Sequence, residues 1–344
     1  MNAKKVLIVA PNWVGDMMMA QSLMISLKQQ NPATKIDVLA PAWTKALTSR
    51  MPEVNQAILS PFKQGSLDFG VRFQLGKKLK EANYEEAYIL PNSFKSALVP
   101  FFAGIAKRVG WCGEARFGLL TDMRFLDKKA YPLMVQRFAA LAYPAKSNLG
   151  KELYRPRLVL QPAQVAAALT HFGLHVDALA DKKIMAICPG AEFGSSKRWP
   201  GSHFIELVEK LDKKNWTLWL FGSEKDKGIS EYISAHSKID YTDFIGKTSL
   251  DQAIDLLSVV QCVVTNDSGL MHIACAMDKP VVAIYGSTST EFTPPLGRNK
   301  IEVVQLSLPC SPCFKRTCPL GHHQCMQDIT PEKVLKAVET VCVF

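Results

Sequence analysis

Short β-branched apolar runs alternate with helix-spaced apolar patterns along most of this chain, and that alternation restricts the possible folds more than any other feature. In the first half the runs fall at 6–10, 36–39, 87–90 and 108–111. In the second they fall at 184–188, 217–221, 262–265, 281–285 and 301–304. Strands that alternate with helices are joined by crossovers, so they pair in parallel. Runs without a polar face imply sheets covered by helices on both sides. The first run of each half ends alike, Val-Leu-Ile-Val-Ala-Pro-Asn12 and Ile-Met-Ala-Ile-Cys-Pro-Gly190, and each leads into a loop and a helix. The expected fold is therefore α/β, with two doubly wound, Rossmann-like parallel-sheet domains facing a central cleft. In such folds ligands bind beyond the carboxyl ends of the strands. Arg155-Pro-Arg157 and Gln161-Pro162 interrupt the periodicity, and proline restricts the residue before it. The boundary is expected there, giving domains 1–160 and 161–344. The second contains a cysteine-rich loop, 310–325, and a final helix, 330–342, opened by Thr330-Pro331.

A chain of 344 residues suits two cores of about 150 residues each. No apolar run approaches the ~20 residues needed to span a bilayer. The start, Lys4-Lys-Val-Leu-Ile-Val-Ala-Pro11, has the charge of a secretory signal but too short an apolar stretch. It reads as the first strand, and the expected location is the cytoplasm. Net charge is +10, from 41 Lys and Arg against 31 Asp and Glu, which favours anionic partners. The basic residues are dispersed, without the stripe and interleaved aromatics of a nucleic-acid reader, so nucleic acid is not expected. Five of the nine cysteines (Cys112, Cys188, Cys262, Cys275 and Cys342) are scattered among apolar neighbours and read as reduced thiols.

Three segments carry candidate chemistry. Thr265-Asn-Asp-Ser-Gly-Leu-Met-His272 follows an apolar strand and opens a helix. This places the Asp267 carboxylate, the Ser268 hydroxyl and the Gly269 amide at a helix N-terminus, where α/β proteins hold phosphate. Alternatively Asp267 or Ser268 merely caps that helix. His272 falls one turn after Ser268; it is either a core histidine or a neighbour of the phosphate. Gly190-Ala-Glu-Phe-Gly-Ser-Ser-Lys-Arg-Trp-Pro200 offers Ser195, Ser196 and Lys197 as a pyrophosphate cradle. Asp16 follows Asn12-Trp-Val-Gly15, just before a helix expected over 17–28, and serves either as its cap or as a general base.

Glu224 or Asp226, after the second strand of the second half, can take ribose hydroxyls. Thr248 precedes a capping box made by Ser249 and Gln252 and borders the same region. There is no Asp-x-Asp to hold a metal–diphosphate, and no GxGxxG after the first strand, which argues against a dinucleotide oxidoreductase. Cys310, Cys313, Cys318 and Cys325, beside His322-His323, supply enough ligands for zinc. Reduced thiols in a basic loop, or disulfides formed on handling, are the alternatives.

Taken together, Pro11-Asn-Trp-Val-Gly-Asp16, the 190–200 and 266–272 segments and the cysteine cluster resemble the ADP-heptose:lipopolysaccharide heptosyltransferases of glycosyltransferase family 9. The likeness covers nearly the whole chain in the same order. It implies the GT-B fold, with the acceptor on the first domain and ADP-heptose on the second, and inversion at the anomeric centre without a required cofactor. By resemblance, Asp16 is the base and Lys197, with Ser195 and Ser196, holds the diphosphate. Asp267 contacts the heptose, while the amides of Ser268 and Gly269 meet phosphate oxygens. The implied acceptor is heptosylated Kdo–lipid A, which places the enzyme peripherally at the cytoplasmic face of the inner membrane. Asn12, Lys95, Arg116 and Arg137 are the expected acceptor-binding residues. A nucleotide-sugar 2-epimerase of the same fold and a basic zinc-binding nucleic-acid protein are the competing expectations.

Overall fold

A computed structural model of the chain describes residues 3–63, 65–150 and 154–342. It divides into two compact units, Met1–Pro156 and Arg157–Phe344. The division falls within the proline-interrupted stretch, slightly ahead of residue 160.

The first unit contains six strands: β1 Lys5–Val9, β2 Lys35–Ala40, β3 Val54–Leu59, β4 Glu86–Ile89, β5 Lys107–Trp111 and β6 Asp122–Arg124. They lie in the order β3-β2-β1-β4-β5-β6, and every neighbouring pair is parallel. The second unit contains β7 Lys183–Cys188, β8 Trp216–Leu220, β9 Tyr241–Asp243, β10 Cys262–Asn266, β11 Val281–Ile284 and β12 Ile301–Val304. Their order is β12-β11-β10-β7-β8-β9, again parallel throughout. Counted from the first strand of each unit, both orders read 3-2-1-4-5-6, the doubly wound arrangement. The expected α/β fold with two Rossmann-like sheets is therefore present. The strand order reverses between β1 and β4 in one sheet, and between β7 and β10 in the other.

Burial explains which strands were legible. Val6, Leu7 and Ile8 of β1 and Met185, Ala186 and Ile187 of β7 are fully buried, as expected of central parallel strands. The unexpected strands β3, β6 and β9 lie at sheet edges and are half-exposed, and their sequences are short or polar. Edge strands need no apolar run.

The helices follow the same logic. Gly201–Asp212 buries Phe204, Leu207, Val208 and Leu211, a 3.6-residue stripe, and these join Ile187, Trp199, Leu218, Val264 and Val334 in the second unit's core. Leu7, Val9, Ile89, Leu98 and Leu120 belong to the first unit's core. The helix Val14–Gln30 is buried nearly all round from Met17 to Leu27. Its polar residues are satisfied inside: Gln21 donates to Glu53 at 2.7 Å, and Ser22 Oγ stands 2.8 Å from Val135 O. This helix starts at Val14 rather than after Asp16, so Asp16 lies in its first turn and is not its N-cap. Among the described residues, no helix is long and apolar enough to cross a membrane.

Candidate active site

In the second unit, the loops after β7, β10 and β11 converge at the carboxyl ends of the strands, beside the reversal between β7 and β10. Lys197, from the β7 loop, donates from Nζ to Asp267 Oδ2 at 2.6 Å. Thr288, from the β11 loop, donates to the same oxygen at 2.6 Å. Lys197 is 13% exposed and Asp267 4%, so the pair is largely withdrawn from water. Asn266 holds the loops together, donating to Pro189 O at 2.7 Å and accepting from Trp199 N at 3.2 Å. Ser268 caps the helix Gly269–Ala276, accepting from Met271 N at 3.4 Å. The capping alternative thus holds for Ser268, whereas Asp267 is engaged by a lysine. His272 is buried beneath them. Burial drives its pKa down to about 4; Asp267 pulls it up and Lys197 pushes it down. The imidazole is therefore neutral at physiological pH.

The cysteine-rich segment is part of this site, which its sequence did not reveal. Ser196 N donates to Arg316 O at 3.1 Å, and Ser196 Oγ donates to Lys315 O at 2.5 Å and lies 3.0 Å from Ser287 Oγ. Phe314 N donates to Ser287 O at 2.8 Å, and Ser311 Oγ to Gly286 O at 2.5 Å. At Gly194 a Cβ would fall 2.2 Å from the Arg316 carbonyl oxygen, so only glycine allows this approach. The segment brings the exposed Arg316 guanidinium 5.7 Å from the Phe193 ring, whose centroid is also 5.0 Å from Lys197 Nζ. Two cations thus share one aromatic neighbour. Arg316, Ser287 and Thr288 were missed. Gly286-Ser-Thr-Ser289 at the end of a strand was the available signal, whereas Arg316 had none.

Beneath the segment lies a cavity of about 20 Å³, lined by Ser196, Ser287, the four clustered cysteines, His322 and His323. That volume accommodates about one water. Among the described residues, no three His, Cys, Asp or Glu side chains stand together as metal ligands. The zinc alternative thus finds no ligand set among the described residues, although the four thiols border one cavity. All nine cysteines are free.

Other expected residues divide by burial. Glu224 is exposed and pairs with Lys227 at 2.5 Å. Asp226 is buried instead. Its Oδ2 accepts from Ser223 N at 2.9 Å and Ser223 Oγ at 2.8 Å, and its Oδ1 lies 3.3 Å from Arg198. Asp226 is a cap and is not presented to a ribose. Thr248 donates to Phe244 O at 3.5 Å, ahead of the Ser249–Gln252 capping box. Ser195 is exposed.

In the first unit, Asp16 is half-buried and Asn12 exposed. Lys95 donates to Ser66 O at 3.1 Å. Arg137 is half-buried and donates to Tyr131 O at 3.0 Å and Pro132 O at 3.2 Å. Arg116 requires a correction, because it is fully buried. It donates to Pro91 O at 2.7 Å, to Trp111 O and to Ser96 Oγ at 3.3 Å. Its guanidinium joins backbone segments inside the unit and cannot reach an acceptor.

Comparison with known proteins identifies the family. Residues 72–324 match the family described as glycosyltransferase family 9 (heptosyltransferase). The chain is 45% identical to lipopolysaccharide heptosyltransferase 2 of Escherichia coli K12, over 98% of both chains. It is 44% identical to lipooligosaccharide heptosyltransferase 2 of Haemophilus influenzae, over 96% of this chain and 97% of that one. The solved structure of E. coli ADP-heptose LPS heptosyltransferase II superposes with a TM-score of 0.86 at 43% identity, covering 98% of each chain. The chain is thus a glycosyltransferase of the GT-B class, and it belongs to glycosyltransferase family 9, the heptosyltransferases.

Proposed function

We propose that the enzyme moves L-glycero-D-manno-heptose from ADP-heptose onto the first heptose of Hep-Kdo-lipid A, the reaction of a heptosyltransferase II. The observation that carries this reading is the Lys197–Asp267–Thr288 cluster beside Arg316. It is a compact, hydroxyl-rich cationic site at strand carboxyl ends, suited to a nucleoside diphosphate. Relatives that bear this name are similar to the chain over its whole length.

In this reading the second unit takes the donor and the first takes the acceptor. Asp16 accepts the proton of the attacking hydroxyl. The hydroxyl oxygen bonds to the anomeric carbon from the side opposite the diphosphate, inverting the centre. The bond from that carbon to the phosphate oxygen breaks, and its electron pair leaves with ADP. No Asp-x-Asp is available, so the developing charge falls on Lys197, Arg316 and the amides that open the helix Gly269–Ala276. Asp267 holds Lys197 in place and offers its other oxygen to the heptose. Glu224 takes the ribose. The acceptor is a lipid, which places the enzyme at the cytoplasmic face of the inner membrane as a peripheral protein.

The test measures ADP release from ADP-heptose with and without heptosylated Kdo–lipid A, alongside direct ADP binding. Asp16→Asn is expected to retain ADP binding and lose about 10²–10⁴-fold in acceptor-dependent release. Lys197→Ala is expected to weaken ADP binding itself. Undiminished release by Asp16→Asn would assign the base elsewhere, and failure of the parent to bind ADP would overturn the whole reading.

A further inference from the structure

We infer that the helix Phe69–Lys80, together with Phe101, is a docking surface for an anionic bilayer. Its sequence is Phe-Gly-Val-Arg-Phe-Gln-Leu-Gly-Lys-Lys-Leu-Lys, and it buries only Arg72, Gly76 and Leu79. At Gly76 a Cβ would stand 2.4 Å from Phe102 Cβ, so glycine lets this helix lie directly against the helix Leu98–Phe102. The close approach gathers three phenylalanines around Phe102. The rings of Phe69, Phe73 and Phe101 meet it edge to face, at centroid distances of 5.3, 5.1 and 5.6 Å. Yet these three are 53%, 39% and 42% exposed. Soluble proteins scatter exposed apolar side chains singly, and a connected apolar patch marks an interaction surface.

Cations border the patch. Lys77 Nζ lies 4.7 Å from the Phe73 ring and the Arg108 guanidinium 5.5 Å from the Phe101 ring. Lys77, Lys78 and Lys80 crowd the helix's last turn, all exposed, and none makes an ion pair among the described residues. The carboxylates at the two ends do not offset them equally. Asp68 is occupied by Ser66 Oγ at 2.6 Å and Lys63 N at 3.0 Å, and Glu81 is exposed at the C-cap.

This combination selects the occupant. Protein interfaces are depleted in lysine at their cores, and a symmetric contact with a second copy would oppose like charges. An anionic bilayer takes both parts: aromatic rings enter the headgroup boundary while lysines meet the lipid phosphates. The inference rests on the proposed peripheral location of the enzyme, but none of these residues is assigned above to donor, base or acceptor, so vesicle binding and ADP release can fail separately.

The experiment is co-sedimentation of the full chain with phosphatidylcholine vesicles, with and without phosphatidylglycerol. Two variants, Phe69→Ser/Phe73→Ser and Lys77→Gln/Lys80→Gln, the latter on the phenylalanine face of the helix, are first checked for native circular dichroism. The parent is expected to bind the phosphatidylglycerol vesicles, and binding should weaken with salt. Each lysine near an anionic surface contributes about fivefold, so the double lysine variant should partition about 25-fold more weakly. The phenylalanine variant should lose binding at any salt concentration. Failure of the parent to bind, or binding by either variant equal to the parent's, would overturn the inference. So would self-association of the parent that the phenylalanine changes abolish in the absence of vesicle binding.

Discussion

At Asp267 one carboxylate oxygen receives both the Lys197 ammonium and the Thr288 hydroxyl, and the physical reason is burial. A carboxylate withdrawn from water needs charged and hydrogen-bonded partners close by. Asp267, Lys197 and Ser196 were legible because their residue types stand directly after apolar runs. Thr288 was not, since a threonine in a hydroxyl-rich loop has no distinctive spacing. Arg116 misled for the opposite reason: an arginine whose partners are backbone carbonyls leaves no trace of burial in sequence. His272 yields a prediction at this scale. Its pKa of about 4 lies below the ordinary 6.5 because burial disfavours the charged ring. Between those values the unfolded chain binds more protons than the folded one, so stability rises with pH across the window and is lost as pH falls from 6.5 towards 4. The slope approaches about 1.4 kcal/mol per pH unit. Urea midpoints taken from pH 7 to pH 5 should therefore fall more steeply for the parent than for His272→Gln. The difference should reach roughly 2 kcal/mol. Parallel slopes would show that another group governs the acid limb.

Among the elements, the buried strands were readable, whereas of the four edge strands only β12 was. β1, β7 and β10 announce themselves as unbroken apolar runs because both their faces are covered. Val-Asn-Gln-Ala-Ile-Leu of β3 and Tyr-Thr-Asp of β9 gain strand geometry from their neighbours rather than from their own residues. The 310–325 segment shows the same limit more sharply. Its cysteine spacing invited a metal reading, while its attachment to the β7 loop runs through carbonyls at Lys315 and Arg316 that no side-chain pattern encodes. This dependence can be tested at Gly194, where an added Cβ would press against the Arg316 carbonyl at 2.2 Å. The backbone cannot yield without moving the segment, and overpacking of this kind costs about 1–3 kcal/mol. Gly194→Ala should therefore weaken ADP binding by about tenfold, measured by titration calorimetry, since 1.4 kcal/mol corresponds to a factor of ten. Alkylation of the clustered thiols should accelerate alongside. An unchanged ADP affinity would mean that the segment is not part of the donor site.

At the scale of the whole molecule, two sheets with the same strand order carry separate cores: Leu7, Ile89 and Leu120 in one, and Ile187, Trp199, Leu218 and Val338 in the other. The repeat was visible in the sequence as a shared first strand, because a central parallel strand is so constrained that two of them come to look alike. Its consequence concerns autonomy. The side-chain contacts described for the proposed donor site, Lys197–Asp267, Thr288–Asp267, Ser196–Ser287 and Ser196–Lys315, lie within Arg157–Phe344. A unit of that size with its own core falls within the range of independently folding domains. The 157–344 fragment should unfold cooperatively in urea and bind ADP within about threefold of the intact enzyme, a difference worth under 1 kcal/mol. It should show no acceptor-dependent ADP release, because the proposed base, Asp16, is missing. A folded fragment that binds ADP more than about tenfold more weakly would assign part of the donor's binding energy to the first unit. Residues from that unit would then have to be added to the donor site.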